Sequence, residues 1–143
     1  MELRRIARYP QRGSAAAEGH PLSVLLLPGA FQRFEDFTRN GFEQALRARA
    51  VAGAPSVELI LADPDPAHLT DRAWLAQLHD EVVAPEHAEG RRVWLGGISL
   101  GGFRALRFAA EYPAAVDGLC LLAPYVGSRI VAAEIGGHER LCR

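Results

Sequence analysis

The sequence predicts an α/β fold: a three-layer αβα sandwich built on a mostly parallel sheet. Two observations carry that expectation. Short apolar runs, several of them closed by proline or glycine, alternate along the chain with segments of helical period. Such alternation implies parallel strands joined by right-handed crossovers, with helices on both faces of the sheet. Finally, the stretch "LGGISLGGF" (Leu95–Phe103) sets one serine among four glycines where a predicted strand meets a predicted helix.

The elements follow in order. Ser23–Ala30 is an apolar run ended by Pro28-Gly29, as a buried parallel strand should be. Phe34–Ala50 places Phe34, Phe37, Phe42, Ala45 and Leu46 at roughly helical spacing, interrupted by Asn40-Gly41. Ser56–Pro66 is a second strand, closed by prolines. Leu69–Gly90 opens with Thr70-Asp71 as an N-cap and puts Trp74, Leu75, Leu78 and Val82 on one helical face. Arg91–Ser99 is a third strand, Leu100–Pro113 a helix stopped by proline, and Val116–Pro124 a fourth strand. Residues 1–20 read as a loosely ordered N-terminal segment and residues 21–143 as one domain.

Composition narrows the function classes. The chain has 143 residues, 49% of them hydrophobic, and a net charge of −1, which gives no electrostatic reason to bind nucleic acid or an anionic membrane. All 16 basic residues are arginine, the mark of a GC-rich, bacterial genome, and they are spread evenly enough to read as a solvated surface. No apolar run has the length of a signal peptide or a membrane span. Cys120 and Cys142 lack metal-ligand spacing and read as reduced thiols, so the expectation is a cytoplasmic protein with no metal and no cofactor.

The four glycines have a steric explanation. A strand that turns directly into a helix forces the residue at the apex into a strained backbone conformation and holds its side chain clear of its neighbours. Residues two before and two after the apex crowd together and must be tiny; Gly97 and Gly101 fill those places around Ser99, while Gly96 and Gly102 let the helix pack closely. The helix also aims its first amides at the serine. A phosphate-binding loop would need Lys and Ser/Thr after the last glycine, and the chain has Phe103-Arg104. A dinucleotide fingerprint would follow the first strand, not the third.

With these residues in place, "LLLPGAFQRFEDF", "WLGGISLGGF" and "DGLCLLAPY" resemble the N-terminal half of an α/β-hydrolase of the esterase or lipase kind, over Leu22 to Val126. The resemblance implies that Ser99 is a nucleophile and that the N–H groups of Leu100 and Ala30 form an oxyanion hole. The substrate would be a small ester. The strand Val116–Pro124 corresponds to the family's sixth, so the resemblance implies a fold truncated after that strand. Phe31, Phe34 and Tyr125 lie in loops at the same end and are candidates for an acyl pocket. In this family the acid and the histidine follow the serine; Glu134 and His138 are available there, and His138 is the candidate base. His68 is a further candidate, and His79 and His87 read as exposed helix positions. The alternatives are a non-catalytic remnant that binds a ligand or partner, and an acyl transferase on the same fold. Ending the sheet at an apolar strand also predicts a homodimer through its open edge.

Overall fold

Successive residues of one strand feed two separate cores. Leu25 and Leu27 pack with Ile60, Trp74, Leu75, Leu78, Val93, Leu95 and Phe108. Leu26 and the partly buried Val24 pack with Phe34, Phe37, Leu59 and Leu61. This period of two is what a strand covered by helices on both sides requires. The computed structural model describes residues 2–6, 21–48, 56–63 and 72–125.

Five strands form the sheet: β1 (Glu2–Ile6), β2 (Leu22–Leu27), β3 (Val57–Asp63), β4 (Arg92–Ile98) and β5 (Gly118–Leu122), in spatial order β1-β3-β2-β4-β5. β2 to β5 run parallel, and β1 pairs antiparallel with β3. Helices α1 (Phe34–Arg39) and α2 (Phe42–Ala48) join β2 to β3; α3 (Ala73–Leu78) and α4 (Ala84–Ala88) join β3 to β4; α5 (Leu100–Glu111) joins β4 to β5. The first crossover steps outward on one side of β2 and the later ones step the other way. Right-handed connections therefore put α1 and α2 on one face and α3, α4 and α5 on the other, matching the two cores. The three-layer expectation is met.

Three local features follow from particular residues. The helical segment expected from Phe34 divides where Gly41 takes φ 80°, between α1 and α2. The segment around Trp74 is continuous but passes through one π-helical turn, His79–Val83, where the Ala84 N–H reaches back to the His79 carbonyl. Pro85 explains it, because its ring removes a donor and crowds the carbonyl four residues earlier. The third feature is β1, which falls in the segment expected to be loose; its register, Glu2↔Asp63 to Ile6↔Leu59, gives the sheet an antiparallel edge. Among the described residues no helix is long and apolar enough to cross a membrane, and no group of three or more His, Cys, Asp or Glu is placed to hold a metal.

Candidate active site

β2 lies between β3 and β4, so the chain reverses its direction of progress across the sheet at β2. At such a switch point the loops leaving two adjacent strands part to opposite faces and open a crevice at their carboxyl ends. Leu27 is in register with Gly97, which brings Pro28-Gly29 beside Ile98-Ser99. The approach is close: a Cβ added to Gly29 would stand 3.2 Å from the Ile98 carbonyl oxygen.

Ser99 occupies the apex between β4 and α5 with φ 52° and ψ −112°. For a residue with a side chain that backbone costs about 1–3 kcal/mol, and it persists only where the surroundings over-determine it. They do so from two directions. The Ser99 N–H donates to the Leu122 carbonyl at 2.9 Å, and the Ser99 carbonyl accepts from Phe103 N–H at 3.1 Å and Tyr125 N–H at 2.9 Å. Among the described residues three non-glycines have positive φ, and all three follow the carboxyl end of a parallel strand: Phe31 (60°) after β2, Ser99 after β4 and Ala123 (44°) after β5. Strain is thus gathered at one end of the sheet.

One backbone donor adjoins this apex in sequence, and a second loop faces it across the crevice. Leu100 is the first residue of a 12-residue helix, so its N–H has no intrahelical acceptor and stands at the positive end of the α5 dipole. Across the crevice, Gln32 closes a tight turn: its N–H donates to the Gly29 carbonyl at 3.2 Å, and its side-chain Oε1 accepts the Gly29 N–H at 3.0 Å. Ala30 and Phe31 form the exposed tip of that turn.

The aromatic residues named from sequence are placed differently from one another. Phe34 is 4% exposed and belongs to the core with Leu26, Phe37 and Leu61, so its ring is a packing group. Phe31 is fully exposed and Tyr125 is half exposed. What periodicity did not single out is a cleft of 230 Å³ beside the turn, lined by Gln32, Phe37, Phe42 and Ile98 among others. Phe37 and Phe42 meet edge to face there, their centroids 5.1 Å apart.

Histidines and acids are partly visible. His138, Glu134, His20 and His68 lie outside the described residues. His79 stacks on Tyr112 with ring centroids 4.5 Å apart, and its Nδ1 is 2.8 Å from Asp80 Oδ1. His87 Nε2 is 3.6 Å from Asp117 Oδ2, and that same oxygen accepts the Val93 N–H at 2.7 Å. Both histidines therefore stand at the amino ends of β4 and β5, roughly 20 Å of extended chain from Ser99. Asp117 fastens the start of β5 to β4. Cys120, Leu119 and Leu122 are exposed on β5, the outermost strand on that side among the described residues.

No protein-family model and no curated protein matches this chain. Solved structures do. The chain is similar to a probable hydrolytic enzyme from Pseudomonas aeruginosa PAO1, with TM-score 0.53 and 20% identity over 86% of this chain and 41% of that one. A monoacylglycerol lipase from Paleococcus ferrophilus matches with TM-score 0.55 and 18% identity, over 99% of this chain and 52% of the lipase. A peroxisomal α/β-hydrolase of Saccharomyces cerevisiae matches with TM-score 0.52 and 16% identity, over 90% and 44%. The chain spans about half the length of these structures. At such identities the likeness is one of fold, and the fold of the described sheet and helices is that of the α/β-hydrolases.

Proposed function

We propose that this chain carries the nucleophile and the oxyanion hole of a serine hydrolase acting on carboxylic esters. The observation that carries the reading is the Ser99 backbone: φ 52° at a strand-to-helix apex, pinned by β5 and flanked by Gly97 and Gly101. In the reaction, Ser99 Oγ forms a bond to the ester carbonyl carbon and its proton passes to an imidazole base. The carbonyl oxygen takes up negative charge between the Leu100 and Ala30 N–H groups, each such donor being worth about 3–4 kcal/mol in comparable sites. Collapse breaks the bond to the alcohol, which leaves with the proton from the base. Water then adds to the acyl-serine by the same route and releases the acid. His138 is the candidate base.

A second reading, a chain that binds a ligand or partner without turnover, is favoured by one observation. Both described histidines stand at the far end of the sheet from Ser99. A fluorophosphonate probe separates the two, because it reacts with activated serines. The expected result is a single adduct at Ser99, with p-nitrophenyl butyrate hydrolysis that falls by about a thousandfold or more in Ser99→Ala. That variant should melt at the wild-type temperature, since alanine keeps the Cβ and opens no cavity. A folded protein that the probe leaves unmodified overturns the hydrolase reading.

A further inference from the structure

We infer that the 230 Å³ cleft beside the Gly29–Gln32 turn is the acyl subsite, and that it selects short acyl chains. This rests on Ser99 being the nucleophile. Position is the first argument. Ile98, the residue before Ser99, forms one wall, and Gln32, whose side chain holds the Gly29 N–H, forms another. The cleft therefore adjoins both the attacking residue and the proposed oxyanion turn. The acyl group stays bonded to Ser99 after the alcohol has left, so its walls must lie within reach of residue 99, while the alcohol needs an open exit.

Chemistry is the second argument. The floor is apolar, made by Phe37, Phe42 and Ile98. The polar groups at the rim are engaged with one another: Asp36 Oδ2 accepts the Arg33 N–H at 2.9 Å, Asp36 Oδ1 meets Arg39 Nη1 at 3.3 Å, and Asn40 Nδ2 donates to the Asp36 carbonyl at 2.8 Å. Such a rim asks nothing polar of an occupant. Size is the third. At 230 Å³ the cleft falls below the range of about 300–1,000 Å³ usual for drug-sized ligands, which suits a few methylenes and excludes a long chain.

The test compares acyl lengths on a fixed alcohol. Wild-type protein should show a higher kcat/KM on p-nitrophenyl butyrate than on the octanoate. Phe42→Leu enlarges the floor and should move the octanoate-to-butyrate ratio up by about tenfold, and Ile98→Phe fills the cleft and should move preference from butyrate to acetate by a similar factor. One methylene in an apolar pocket is worth about 10–200-fold. Binding is read separately, by amide NMR shifts of the Ser99→Ala protein with butyranilide, the stable amide analogue. Shifts should centre on Phe37, Asn40, Phe42 and Ile98. If the probe fails to label Ser99 while these shifts appear, the cleft stands as an acyl-binding site and the hydrolase reading falls. If Ser99 is labelled but both variants keep the wild-type length preference, the cleft assignment is overturned and the hydrolase reading stands. Shifts confined to the separate 380 Å³ groove lined by His79, His87 and Tyr112 also overturn it.

Discussion

Replacing Gly101 or Gly97 by alanine abolishes the folded state: the expected result is insoluble protein, or a chain with no cooperative urea transition. A Cβ on Gly101 would stand 2.0 Å from the Leu27 carbonyl oxygen and 2.6 Å from both the Leu27 carbonyl carbon and the Pro28 oxygen. On Gly97 it would stand 2.2 Å from the Gly101 carbonyl carbon and 2.6 Å from Gly102 N. Every one of these atoms is backbone, so no rotamer change relieves the overlap. The remaining escape is for α5 to lift from the sheet, which withdraws Phe103, Ala105 and Phe108 from burial. A cost above about 4 kcal/mol is the exceptional kind expected of steric overlap without room. It consumes much of a total stability of about 5–15 kcal/mol. Gly90→Ala is the control. Nothing lies within 4 Å of its added Cβ, and only its φ of +75° resists, at about 1–2 kcal/mol. If Gly101→Ala melts within a few degrees of Gly90→Ala, the apex is looser than its geometry indicates.

The crossover pattern was legible because it rests on strong local signals. The apolar runs at Val24–Leu27, Leu59–Ala62 and Val93–Leu95 belong to strands buried on both faces, and such strands are recognisable without partners. The helix boundaries at Gly41 and near Pro113 coincide with glycine and proline, whose effects are local too. β1 was not legible. Its five residues include Glu2, Arg4 and Arg5, and it exists through pairing with β3, a contact between distant parts of the chain. The π-helical turn shows the intermediate case: Pro85 signals a disturbance, but the choice between a break and a wider turn is made by the packing of Val82 and Val83 into the core.

At the candidate site the same division holds. The glycine spacing around Ser99 is a local steric requirement, so the strained apex could be read from nine residues. The cleft proposed as the acyl subsite could not. Phe31, Phe34 and Tyr125 share the right end of the sheet, but chain position does not say which way a ring points, and Phe34 turned inward while Phe31 turned to solvent. The cleft joins Ile98 to Gln32 and Phe42 across two connections, and no sequence period links them.

Arg91→Ala is expected to lower stability by about 3–5 kcal/mol, read from the urea midpoint, although evenly scattered arginines give no hint of it. Arg91 is 7% exposed and sits just before β4, where its guanidinium ties together the amino ends of three strands. Nη2 lies 3.3 Å from Glu58 Oε2 on β3, Nε lies 3.4 Å from Glu86 Oε2, and Nη1 donates to Ser23 Oγ on β2 at 3.3 Å. Ser23 in turn donates to Glu86 Oε2 at 2.5 Å. Glu58 and Glu86 are 5% and 2% exposed, so removing the cation leaves two carboxylates buried near one another without the charge between them. Lysine restores only part of the loss, because one ammonium cannot reach three acceptors in the fork geometry that arginine holds. Arg91→Met with Glu58→Gln and Glu86→Gln should recover more than Arg91→Lys does, since replacing a whole buried ionic group is often close to neutral while halving it is not. The cluster stands at the opposite end of the strands from Ser99, so fluorophosphonate labelling of the folded fraction should keep its wild-type rate in every one of these variants. A loss below about 1 kcal/mol for Arg91→Ala would show that the three strand ends are held by packing alone.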